Sequence, residues 1–142
     1  MSWLTTDRLP RPHDAERLAV GWTRWREKAA MPDDAAARAL LDTLFGNSPY
    51  LTETALQNPS FMADLWREGP DATLAQLEAE LATVGGEARG GAAPEAVAVR
   101  LRRLKRSVAL TVAVADIAGA WPLERITGAL SRLAAACIDG LL

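Results

Sequence analysis

Cysteine and histidine are almost missing from this 142-residue chain, each occurring once, as Cys137 and His13. A single cysteine excludes an internal disulfide, and the pair cannot supply a His/Cys set for a metal ion. A surplus of either charge is also lacking: 16 Lys plus Arg against 18 Asp plus Glu leave a net charge of −2. A general nucleic-acid binder carries a marked basic excess, so that class is disfavoured. Long apolar runs are missing too. Ser107 to Ala115 is an uncharged stretch of nine residues, whereas a membrane-spanning helix needs about 20. The opening Met1-Ser2-Trp3-Leu4-Thr5-Thr6-Asp7 has neither the basic nor the apolar region of a secretory signal. A soluble, reducing, cytoplasmic setting is the expectation that follows.

What is present points to helices. Hydrophobic residues make up 49% and charged residues 24%, enough apolar surface for a packed core. Alanine, the best helix former, occurs 28 times, and β-branched residues never gather into an alternating strand-like run. The chain reads as an all-α, irregular bundle of six or seven helices without a sheet, one domain or part of one. Residues 1–13 read as an extended lead-in and 14–84 as a series of N-terminal helices. Asp14 caps a first helix with Leu18, Trp22, Trp25 and Ala29 on one face. A second begins near Pro32-Asp33-Asp34, with Gly46 as its stop. Ser48-Pro49 and Asn58-Pro59 each start a short helix, and Gly69-Pro70-Asp71 opens another that carries Leu74, Leu77, Leu81 and Val84. Residues 85–93 hold four glycines in nine positions and read as a flexible loop. They lack the strand and the Lys-Ser/Thr that a phosphate-binding loop requires.

Residues 94–142 then hold a long helix and a final one. The long helix places Val97, Leu101, Leu104, Val108, Val112 and Ala115 on one face. Its first half sets Arg102, Arg103 and Arg106 on the opposite side, with Arg100 and Lys105 flanking. In its second half Leu110, Val114 and Ile117 take that opposite side, so this half is expected to be buried all round. After the break at Gly119-Ala120-Trp121-Pro122, a last stripe runs through Leu123, Ile126, Leu130, Leu133, Ala134, Cys137 and Leu141. That helix carries no stop signal, and the reading is that it continues into an absent domain.

No residue set supports catalysis or metal binding. Cys137 falls on an inward face and His13 in the lead-in, so they do not form a nucleophile–base pair. Adjacent Asp33 and Asp34 point about 100° apart on a helix and suit its positive end better than a cation. Trp22 and Trp25 at helical spacing read as packing rather than as a stacking platform. The dense charge feature is the group Arg100, Arg102, Arg103, Lys105 and Arg106. It fits contact with a phosphate or an acidic protein surface. It fits equally a solvated face, or ion pairs with Glu78, Glu80 and Glu87.

Several segments taken together resemble a known family. They are Leu101-Arg102-Arg103-Leu104-Lys105-Arg106, Ala113-Val114-Ala115-Asp116-Ile117-Ala118-Gly119, Trp121-Pro122-Leu123-Glu124 and Ile126-Thr127-Gly128-Ala129-Leu130-Ser131-Arg132-Leu133-Ala134. Upstream, Phe45-Gly46-Asn47-Ser48-Pro49-Tyr50-Leu51 and Asn58-Pro59-Ser60-Phe61 join them. Across roughly residues 38–142 the chain is similar to the N-terminal helical region of bifunctional glutamine synthetase adenylyltransferase/adenylyl-removing enzymes. The resemblance implies a cytoplasmic regulatory enzyme of nitrogen assimilation that moves AMP from ATP to a tyrosine of glutamine synthetase and removes it by phosphorolysis. It also implies Mg²⁺ and ATP for the whole enzyme, and as partners a downstream nucleotidyltransferase domain in cis, glutamine synthetase and a PII signalling protein. The family's Gly-Gly and Asp-x-Asp metal signature does not occur in these residues, so no catalytic position carries over. On this resemblance the segment is helical scaffold. From the residues alone, a self-contained all-α adaptor without catalysis is the alternative, with neither nucleic acid nor membrane as a partner.

Overall fold

The computed structural model describes residues 3–141, with side chains through residue 138. Within them the chain forms a 3-10 turn at Thr6–Arg8 and seven α-helices, with no strand. These are α1 (Ala15–Lys28), α2 (Ala35–Asn47), α3 (Pro49–Gln57), α4 (Pro59–Glu68), α5 (Pro70–Arg89), α6 (Pro94–Ile117) and α7 (Leu123–Leu141). Capping chemistry sets the starts. The side chains of Asp14, Asp34, Ser48 and Asn58 each accept a backbone N–H from the first turn that follows, satisfying donors that a helix leaves unpaired.

The described residues separate into two compact units, one running to Gly69 and including Ile117–Ala120, the other formed by Pro70–Asp116 and the residues from Trp121 onward. The boundary between the two units falls at Gly69. Gly69 has φ +90°, a left-handed conformation that a side chain resists. Its α carbon lies against Trp3, whose ring would stand 3.1 Å from an added Cβ.

In the first unit α1 packs on α2 and α3. The tryptophans build its core. Trp22 meets Phe45 edge-on at 5.2 Å, and Trp25 lies 6.4 Å from Phe45 and 6.0 Å from Trp66. The polar edges are satisfied as well: Trp22 Nε1 donates to Asp42 Oδ1 at 2.6 Å and Trp25 Nε1 to the Ala30 carbonyl at 3.0 Å. The lead-in is tied down along α2. Thr43 Oγ1 donates to the Pro10 carbonyl, Asn47 Nδ2 to the Arg11 carbonyl, and the His13 N–H to Asn47 Oδ1. Gly46 is not the stop read from sequence; it lies inside α2. A Cβ there would collide with Pro12, whose Cα would be 2.7 Å away. The glycine makes room for the strap, and the helix ends one residue later, before the cap of α3.

In the second unit α7 packs on α5. Trp121 Nε1 donates to Asp71 Oδ1 at 2.8 Å, and Arg125 pairs with the same carboxylate at 2.7 Å while stacking 4.7 Å over the Trp121 ring. Arg132 reaches Glu78 at 2.9 Å. In α6 the second half is buried on opposite sides: Leu110 and Val114 are as enclosed as Val108 and Val112.

The glycine-rich loop expected over 85–93 is mostly helix. α5 continues to Arg89 through Gly85 and Gly86, and the irregular part shrinks to residues 90–93. Two helical glycines cost about 1 kcal/mol each relative to alanine. Buried Val84 just before them and the Glu87–Arg100 ion pair just after hold the extra turn in place. The left-handed residue that ends it is Gly91, at φ +93°.

Candidate functional site

The basic face of α6 splits in two. Arg100 is half-buried and paired with Glu87, so at this position the ion-pair reading holds. Glu78, another carboxylate considered as a partner, is engaged by Arg132. Arg102, Arg103, Lys105 and Arg106 are exposed, and no ion pair joins them to any described residue. With 3.6 residues per turn, Lys105 and Arg102 occupy the flank of the helix next to its buried row, and Arg106 and Arg103 its outer side. Four cations within two turns repel one another unless an anionic group faces them.

Lys105 and Arg102 border a groove of about 170 Å³ whose other lining residues are Ala98, Leu101 and Cys137. Cys137 comes from α7 and is half-buried. Along α7 the stripe read as inward is only partly so. Ala129 and Leu133 are buried, whereas Leu123, Leu130 and Ile138 are 73%, 44% and 58% exposed, and Ala134 is exposed as well. Leu141 lies outside the residues with described side chains. The physical reason is width: the stripe spans more of the helix surface than one neighbouring helix covers, and the arc at Ala129, Leu133 and Arg132 faces α5. The exposed residues were legible as apolar but not as uncovered.

The remaining candidates have structural roles or fall in different units. His13 belongs to the first unit and Cys137 to the second. Asp34 caps α2 through the Ala36 N–H at 2.7 Å. Among the described residues no group of three or more His, Cys, Asp or Glu could hold a metal ion, and Gly85-Gly86 lies within a helix. Among the described residues no helix is long and apolar enough to cross a membrane. In the first unit a cleft of about 430 Å³ lies over Gly21, Phe45 and Thr52. Four of its five bordering charges pair with one another, Glu16 being the fifth. Arg24 forks onto Glu53, with its Nη2 at 3.0 Å from Oε2, and Arg17 lies beside Asp14 at 3.5 Å. The hydrogen bond from Arg24 lowers the Glu53 pKa, and the same bond raises that of Arg24.

Fold and site together define an all-helical segment that presents a cationic helix face beside an uncovered apolar row. A protein-family model described as glutamate-ammonia ligase adenylyltransferase matches residues 38–142. Among curated proteins, the bifunctional glutamine synthetase adenylyltransferase/adenylyl-removing enzyme of Rhodopseudomonas palustris is 33% identical over 136 residues, covering 88% of this chain. Those of Rhizobium meliloti and Bradyrhizobium diazoefficiens are 36% and 35% identical, covering 77% and 89% of the chain. The chain belongs to the glutamate-ammonia ligase adenylyltransferase family. It spans only 13%, 11% and 13% of the length of these three relatives. No solved structure matches it.

Proposed function

We propose that this chain is a helical scaffold segment of an enzyme that adenylylates and deadenylylates glutamine synthetase, with the chemistry carried by domains outside these residues. The observation that carries the reading is the family match across residues 38–142, a span that contains α6, α7 and the cations that pair with no described residue. ATP and Mg²⁺ belong to the nucleotidyltransferase domains of such an enzyme. AMP transfer from ATP and removal by phosphorolysis take place there, in a cytoplasmic setting and under control of a PII signalling protein. The role of the present helices is to hold and orient. The face formed by Arg102, Arg103, Lys105 and Arg106 meets a nucleotidyltransferase domain in cis or glutamine synthetase itself.

The test is charge reversal of Arg102, Arg103 and Arg106 to Glu in the full-length enzyme. Rates of AMP addition and removal, and binding of glutamine synthetase, are measured against the unaltered enzyme. At least one is expected to fall by about tenfold, the product of three rim-exposed ion pairs each worth about twofold. Unchanged rates and binding overturn the contact role. Nucleotide turnover by the purified 142-residue chain alone overturns the scaffold role.

A further inference from the structure

We propose that the α6–α7 surface is a docking site for an amphipathic helix that carries acidic side chains along one flank of its apolar stripe. This deepens the reading of the basic face as a contact surface, and rests on it, by naming the chemistry of what it contacts.

Three observations converge. First, Leu130, Ala134 and Ile138 form an exposed apolar row on α7 beside Cys137, because residues three, four and seven apart share a helix side. Second, Cys137 also lines the groove with Ala98 and Leu101 of α6, so the row continues into an apolar floor without a break. Third, the far wall of that groove is Arg102 and Lys105, with Arg106 one turn beyond Arg102. A helix laid along α7 would place its apolar stripe over the row and its flank against these cations, in the helix-in-groove mode. The α6 carboxylates on that flank are Glu95, two turns before Arg102, and Asp116, three turns after Lys105, so the stretch of wall from Arg102 to Arg106 is positive. Acidic side chains on the incoming helix remove the mutual repulsion of the wall at the same time as the apolar row leaves water.

A lipid surface suits the geometry less well. Membrane-lying helices carry their own Lys/Arg-rich polar face and large aromatic anchors. α7 has Glu124, Arg125, Ser131 and Arg132 outside its apolar row, no aromatic residue, and both arginines engaged by carboxylates. The cations sit on the neighbouring helix, as a wall beside a groove.

The experiment uses the 142-residue chain and three synthetic 20-residue helical peptides. One has a leucine stripe flanked by Glu, one the same stripe flanked by Lys, and one a Ser stripe flanked by Glu. Vesicles with about one third anionic phospholipid form a fourth arm. Binding is read by fluorescence anisotropy and by the rate at which a maleimide labels Cys137, the sole thiol. The Leu/Glu peptide is expected to bind about tenfold tighter than the Leu/Lys peptide at low salt. It is also expected to slow Cys137 labelling severalfold, and the Ser/Glu peptide to do neither. In the chain with Arg102→Glu, Lys105→Glu and Arg106→Glu the preference reverses. In the chain with Leu130→Ser and Ile138→Ser both leucine peptides weaken together. Circular dichroism and a urea transition establish that each variant is folded. Equal binding of the Glu- and Lys-flanked peptides, retention of the preference after charge reversal, or capture by vesicles without peptide binding overturns the proposal. None of these outcomes depends on AMP transfer, so the proposal can fail while the enzymatic reading stands, and the reverse.

Discussion

Replacing Gly21 by alanine tests the core of the first unit at its tightest point. In an ordinary helix interior this change stabilises by about 1 kcal/mol, because glycine gives up more backbone entropy on folding. Here α1 is pressed so closely on α2 that a Cβ at position 21 would lie 2.5 Å from Phe45 Cγ, 2.7 Å from its Cβ and 2.8 Å from its Cδ2. The ring has no easy retreat. Phe45 is 1% exposed and is held by Trp22 and Trp25 at 5.2 and 6.4 Å. Overpacking of this kind costs about 1–3 kcal/mol, and contact with a rigid ring puts it at the upper end. Subtracting the propensity gain leaves a net loss of about 2 kcal/mol for Gly21→Ala. Urea unfolding followed by tryptophan fluorescence reads this directly, since Trp22, Trp25 and Trp66 all stand near the altered site. Phe45→Leu, which replaces the ring by a smaller aliphatic side chain, supplies the second leg of a double-mutant cycle: the pair is expected to lose less than the sum of the single losses. A Gly21→Ala chain as stable as the parent, or strictly additive losses, refutes the close-approach account.

Three other outcomes follow from particular contacts. Gly86→Ala, helical and with nothing within 4 Å of the new Cβ, is expected to stabilise by up to about 1 kcal/mol. Gly91→Ala, at φ +93°, is expected to destabilise by about 1 kcal/mol; equal effects in thermal unfolding would return residues 85–93 to a flexible loop. Leu133→Ala is expected to cost about 2–4 kcal/mol and Leu130→Ala less than about 1 kcal/mol, because only the former is buried; similar losses in urea titrations would reject the packing of α7. Hydrogen bonding to Arg24 holds the Glu53 pKa below its ordinary value. A carboxylate depressed on folding contributes stability that is present above its unfolded pKa and lost as pH falls through the folded one. The stability gap between the parent and Glu53→Gln is therefore expected at neutral pH and to close under acid; a gap independent of pH would contradict the pairing.

Much of the first unit was legible because its signals are local. A cap and the N–H it accepts lie within three residues of one another, so Asp14, Ser48-Pro49 and Asn58-Pro59 announced their helices without reference to the rest of the fold. Trp22 and Trp25 were readable as core for a related reason, their recurrence with Leu18 on one helix side. On α6 the row Val97, Leu101, Leu104 and Val108, and the cations opposite it, followed from the period alone. The candidate contact residues were therefore visible as a set, though not which of them had partners. Arg100 differs from Arg103 only in meeting Glu87 across a turn.

Helix class, helix starts and the amphipathic division of α6 follow from the order of the residues, because each depends on hydrogen bonds and side-chain directions within one or two turns. Other features depended on neighbours distant in the chain. Gly46 is a glycine because Pro12 comes up against it, and periodicity carries no trace of that approach. Gly85 and Gly86 are helical although their own propensity opposes it by about 1 kcal/mol each, between buried Val84 and the Glu87–Arg100 ion pair. The apolar stripe of α7 could be seen in advance, but its division into a covered arc and an open row was made by the placement of α5. Burial is a property of what stands opposite a side chain, and that is decided only when the helices come together.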